Sequence, residues 1–102
     1  MIKNIRILQL KDTPENRNFF FMPLHRLEKF GLTVSLDNYE SIYKERIIVP
    51  DGEDDLDTLE KLYVRFQGRK PATYRGHSLS VSDIVEIDGV NYYCDSIGFE
   101  KL

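Results

Sequence analysis

Apolar positions recur with period two near both ends of the chain and with a helical period between them. Ile5-Arg6-Ile7-Leu8-Gln9-Leu10 puts Ile5 and Ile7 on one strand face and Leu8 and Leu10 on the other. Two apolar faces predict a strand inside a sheet rather than at its rim. Asp12-Thr13-Pro14-Glu15-Asn16 has loop chemistry. Asn18-Phe19-Phe20-Phe21-Met22 reads as a short second strand, of a length at which period alone does not exclude helix. Pro23 suits the first position of a helix, where a missing N–H costs nothing. Leu24, Leu27 and Phe30 then share a face, and Gly31 is placed to end the helix.

Asp37-Asn38 marks a turn before a strand, or two strand segments, over Tyr39 to Val49. Tyr39, Ser41 and Tyr43 lie on one side and Ile42 on the other, and Lys44-Glu45-Arg46 reads as a bulge or turn. Pro50-Asp51-Gly52 ends the segment. The clearest helix is Asp55 to Gln67: Leu56, Leu59, Tyr63 and Phe66 form a stripe that Leu62 widens. Asp54 or Asp55 caps it, neighbouring carboxylates suit the positive end of its dipole, and Gly68 terminates it.

Asp88-Gly89 separates Ile84 to Ile87 from Val90 to Cys94, which predicts a hairpin with a two-residue type I′ turn. The register pairs Ile87 with Val90, Val85 with Tyr92 and Asp83 with Cys94. Val85, Ile87, Val90, Tyr92 and Cys94 form the core face. Ile84, Glu86, Asn91, Tyr93 and Asp95 make a mixed face for another element to cover in part. Upstream, His77-Ser78-Leu79-Ser80-Val81-Ser82-Asp83 alternates like a strand with one wet face. The competing reading is a turn in which the Asp83 carboxylate accepts backbone N–H groups. The whole order predicts a single α+β domain over residues 1–102, with two helices on a mostly antiparallel sheet, open or partly rolled into a barrel.

The 102 residues allow one modest core, and 41% hydrophobic with 30% charged residues describes a soluble globular chain. No apolar run approaches the roughly 20 residues of a membrane span. Met1-Ile2-Lys3-Asn4 leads into strand pattern without a cleavage site, so no signal peptide is expected and the cytoplasm is the expected compartment. The single cysteine leaves no internal disulfide. Residues 1–50 carry eight Lys/Arg against six Asp/Glu, residues 51–102 six against eleven, so the net charge of −3 is unevenly spread. A uniformly basic nucleic-acid binder does not have this distribution.

Chemistry-bearing residues are sparse. His25 and His77 stand apart and begin no metal-spacing motif, and no cofactor is expected. His77, Ser78 and Asp83 supply the residue types of a triad without a nucleophile elbow or oxyanion loop, so an enzyme is the weaker alternative. Cys94 falls on the core face, where a thiol is a small hydrophobe. The isolated glycines make no phosphate cradle. Asp51, Glu53, Asp54, Asp55 and Asp57 lack the spacing of a calcium loop. They read as a helix start and solvated surface, or as an acidic patch for a basic protein partner. Arg65, Arg69, Lys70 and Arg75, with Phe66 and Tyr74 among them, form the alternative patch, a basic surface with an exposed aromatic for single-stranded nucleic acid.

Ser78-Leu79-Ser80-Val81-Ser82-Asp83-Ile84-Val85, followed by Tyr92-Tyr93-Cys94-Asp95-Ser96-Ile97-Gly98-Phe99, resembles the end of the YodL-like domain. Tyr39-Glu40-Ser41-Ile42-Tyr43, the acidic Leu-rich helix and Gly68 to Pro71 are similar more loosely, in the expected order. The resemblance implies a setting in conjugative and other mobile elements of Gram-positive bacteria, and no residue-level activity. Together these readings point to a non-enzymatic protein-binding accessory protein of a mobile genetic element. Its sharper form is an inhibitor of a host defence nucleoprotein, of anti-CRISPR or anti-restriction type.

Overall fold

Two apolar faces on one strand force the chain to build on both sides of it, and the architecture follows from that. In the computed structural model, which describes residues 1–68 and 70–102, β1 (Ile2–Leu10) lies inside a five-stranded sheet. The other strands are β2 (Tyr39–Ile48), β3 (Ile84–Ile87), β4 (Val90–Cys94) and β5 (Phe99–Lys101). The order is β2-β1-β3-β4-β5, with every neighbouring pair antiparallel. The sheet is open, not closed into a barrel, so β2 and β5 are its edges. No helix among the described residues is long and apolar enough to cross a membrane.

One face carries Ile5, Ile7, Val85, Ile87 and Tyr92 and is covered by α2 (Asp55–Arg65) through Leu59, Leu62 and Phe66. The other carries Leu8, Leu10, Ile84 and Tyr93, under Phe19, Phe20, Met22 and Leu27 of the segment that includes α1 (Leu24–Lys29). Burying a large apolar side chain contributes about 1.5–3 kcal/mol, so these residues dominate stability.

The Asp88-Gly89 turn has φ of +46° and +85°, and β3 and β4 pair in the expected register, Ile87 with Val90 and Val85 with Tyr92. The Cys94 N–H donates to the Asp83 carbonyl at 2.8 Å. The chain then turns through Gly98 and adds β5, so the terminus is a three-stranded meander rather than a hairpin alone.

Four expectations are corrected. Asn18–Met22 is not a strand: its backbone turns, with Phe21 at φ +59°, so that Phe19, Phe20 and Met22 all reach the second core. Strand β2 runs unbroken through Lys44-Glu45-Arg46, and the irregularity lies at Ile42, because Ile7 pairs with Tyr43 and Leu8 with Ser41. The extra residue lets Ile42 and Tyr43 enter the same core. The inward face of α2 is Thr58, Leu59, Leu62 and Phe66, while Leu56 and Tyr63 face outward. On α1 only Leu27 is buried; Pro23 precedes the helix and Phe30 is exposed.

Candidate functional site

Gln9 is the one polar side chain that β1 sends into the first core, and it is 3% exposed. A buried amide must find partners or cost free energy. Its Nε2 donates to the His77 carbonyl at 2.8 Å and to Asp83 Oδ2 at 3.0 Å, and its Oε1 accepts from the His77 N–H at 3.2 Å. The Tyr74 hydroxyl donates to the same His77 carbonyl at 2.8 Å. Gly76 lets the backbone approach this closely: a Cβ there would stand 1.9 Å from Gln9 Oε1.

Asp83 Oδ2 also accepts the Ser80 N–H at 2.9 Å, so the turn reading of this segment holds, not the strand reading. Ser82, at φ +85°, accepts the Phe21 N–H on its hydroxyl at 3.1 Å and the Tyr39 hydroxyl on its carbonyl at 2.6 Å. These bonds hold two left-handed non-glycine residues, Phe21 and Ser82, against each other across the chain. Burial pushes the Asp83 carboxyl up from its ordinary range to about 7, against the pull of the Ser80 N–H, His77 and Gln9.

The structure brings His77, Ser80 and Asp83 together. His77 Nε2 stands 3.7 Å from Asp83 Oδ1, and Nδ1 lies 2.7 Å from the Ser78 carbonyl and 3.3 Å from Gln9 Nε2. The Ser80 hydroxyl donates to that carbonyl at 2.9 Å, and Ser78 Oγ accepts from Lys70. Ser80 Oγ also stands 3.3 Å from His77 Nδ1. His25 is exposed on α1, and among the described residues no three His, Cys, Asp or Glu side chains gather as a metal site.

Four of the five acidic side chains have local partners. Asp54 caps α2 by accepting the Asp57 N–H at 2.8 Å. Asp55 accepts from Lys3 at 2.8 Å and from the Tyr92 hydroxyl at 2.6 Å, and these bonds hold its carboxyl below the usual range. Glu53 is likewise lowered by Lys61 and the Thr58 hydroxyl. Asp51 is exposed, 3.4 Å from the terminal amine. Asp57 is exposed beside the outer face of α2.

The alternative basic patch is corrected at its aromatic. Tyr74 is 8% exposed and stacks on Phe66 in the core, so it offers no platform for a base. Arg65 lies over Phe66 and forks onto Glu45, which it holds below its ordinary pKa. Lys70 lies over the Tyr74 ring, Arg75 is exposed, and Arg69 falls outside the described residues. Cys94 is buried, and desolvation together with Asp83, Asp95 and Glu60 raises its thiol to about 12, an unreactive state.

What the sequence missed is the outer face of α2. Leu56, Tyr63 and Val64 are exposed there, with Glu60 between them. Tyr63 meets Phe99 edge-on with centroids 6.4 Å apart, and Glu60 approaches Gly98. The patch therefore continues onto the β4–β5 turn, whose Ile97 is 92% exposed. The signal was the surplus of apolar positions on α2, more than one face can bury.

Comparison with known proteins adds one match: the model of the YodL-like domain covers residues 4–102. No significant match to a curated protein or to a solved structure was found.

Proposed function

The chain belongs to the YodL-like domain family, and from that premise we propose that it is a non-enzymatic protein-binding module that docks through the outer face of α2. The observation that carries this reading is the exposed set Leu56, Tyr63, Val64 and Ile97, set among Asp57 and Glu60. Contiguous apolar surface rimmed by charge is the usual mark of a protein contact. The carboxylates select a partner with basic residues around an apolar centre. Surfaces that hold nucleic acid supply such residues, which favours a host nucleoprotein as target and an anti-defence role for an accessory protein of a mobile element in the cytoplasm. Acid–base catalysis is disfavoured by the engaged serines and by Nδ1 of His77 facing a carbonyl.

The test is capture from nuclease-treated host lysate with the native chain and with a Leu56→Arg, Val64→Arg variant, read by mass spectrometry. The native chain should retain a nuclease-resistant protein that the variant loses, while both keep the same circular dichroism. Partners that vanish with nuclease, or that the variant retains, overturn the reading.

A further inference from the structure

Strand β2 is an edge, and its last five residues, Lys44 to Ile48, lie between two grooves of opposite character. On the sheet face away from α2, antiparallel register sets Lys44 beside Arg6, Arg46 beside Asn4 and Ile48 beside Ile2. Asn4, Arg6, Lys44, Arg46 and Glu86 line an open groove of about 510 Å³ there. Arg6 is engaged by Glu86 at 2.7 Å, whereas Lys44 and Arg46 are exposed and form no ion pair among the described residues. The Nε of Arg6 and the Oδ1 of Asn91 on this face are buried without a partner. On the α2 side, Ile47, Val49 and Leu62 line a second groove of about 240 Å³, whose bordering Lys61 and Arg65 are neutralised by Glu53 and Glu45. That volume is below the roughly 300–1,000 Å³ of a small-molecule pocket but suits a side chain.

We infer that this edge takes an extended segment of a partner protein as a sixth strand, with acidic residues facing Lys44 and Arg46 and alternate apolar residues entering the groove beside Ile47 and Leu62. An edge strand presents unpaired N–H and C=O groups, and side chains of an added strand alternate between the two faces. The two grooves match that alternation, carboxylate on one side and aliphatic on the other. A second copy is the wrong occupant. Antiparallel self-pairing centred on Glu45 would set Lys44 against Arg46 of its mate, and like charges directly opposite are destabilising. This surface is independent of the α2 patch, because it uses other residues and the opposite charge.

The probe is a fluorescein-labelled decapeptide alternating valine and glutamate, compared with a valine–lysine peptide by anisotropy at low salt. The glutamate peptide should bind at least tenfold more tightly, and Lys44→Glu, Arg46→Glu should reverse the preference. At saturation, alternate amides of Lys44–Ile48 should gain protection from hydrogen exchange while those of α2 do not. Equal binding of both peptides, unchanged β2 amides, or a dimer in sedimentation that closes the edge would each overturn the inference. The Leu56→Arg, Val64→Arg variant should bind the peptide unchanged, which separates failure here from failure of the docking reading above.

Discussion

Asp83 is 1% exposed, and its carboxyl keeps its proton to a pH of about 7 because water is not there to solvate the charge. In the unfolded chain the same group ionises near the ordinary carboxylate value. Between those two values the folded state holds more protons, so this group lowers stability as pH rises from about 4 to about 7. Two pH units inside that window correspond to about 2–3 kcal/mol. Urea unfolding at pH 5 and pH 7.5 should therefore show Asp83→Asn close to the native chain at the lower pH and relatively more stable at the higher. Equal differences at both would rule out the buried acid as the source. Gly76→Ala drives a methyl into Gln9 and toward Ile42, 2.9 Å away, and should cost about 1–3 kcal/mol by the same titration. The sequence made Asp83 legible as a turn brace because the Ser80 contact is local. Gln9 was invisible in that role: its partners stand 65 to 74 residues away, and a single polar residue in an interior strand does not name them.

Helix α2 shows how an element can be legible in position and wrong in phase. Its start follows from Asp54, whose side chain caps the first turn, and Asp54→Ala should cost about 1 kcal/mol. Its orientation does not follow from the apolar stripe, because Leu56, Tyr63 and Val64 compete with Leu59, Leu62 and Phe66 for one buried face. The hydrogen bonds of Asp55 to Lys3 and Tyr92 and of Thr58 to Glu53 fix the choice, and those partners come from β1, β4 and the preceding loop. Leu59→Ala should then cost about 2–5 kcal/mol, since Leu59 is fully buried, while Leu56→Ala should stay within about 0.5 kcal/mol. Thermal melts of the two variants decide between the phases; similar losses would put Leu56 back in the core. The displaced bulge has the same origin. Composition marks Lys44-Glu45-Arg46 as the interruption, yet charges on an edge strand reach water on their own, and it is Ile42 that must shift to bury.

At the scale of the molecule, one strand holds everything. Residues Ile5–Leu8 of β1 pair with Ile84–Ile87, about eighty positions away, and the same strand pairs with β2 on its other side. The two cores lie on opposite faces of that shared strand and contain no residue in common. Neither core can open fully without exposing β1, but the elements at the margin can leave first. The six-residue α1 buries Leu27 alone, and β5 is a three-residue edge. Native-state hydrogen exchange should therefore find the paired amides of Ile5–Ile7 and Val85–Ile87 opening only with global unfolding. Those of Leu24–Lys29 and Phe99–Lys101 should open at lower free energy. Exchange of all four segments at one common free energy would instead mean that the α1 side is as tightly coupled as the α2 side. That order of stability bears on both proposed binding surfaces. The α2 patch ends on the β4–β5 turn at the labile margin, whereas Lys44–Ile48 is pinned to β1 along its length. A strand added to β2 should raise the protection of β1 itself, and a partner on α2 should first raise that of β5.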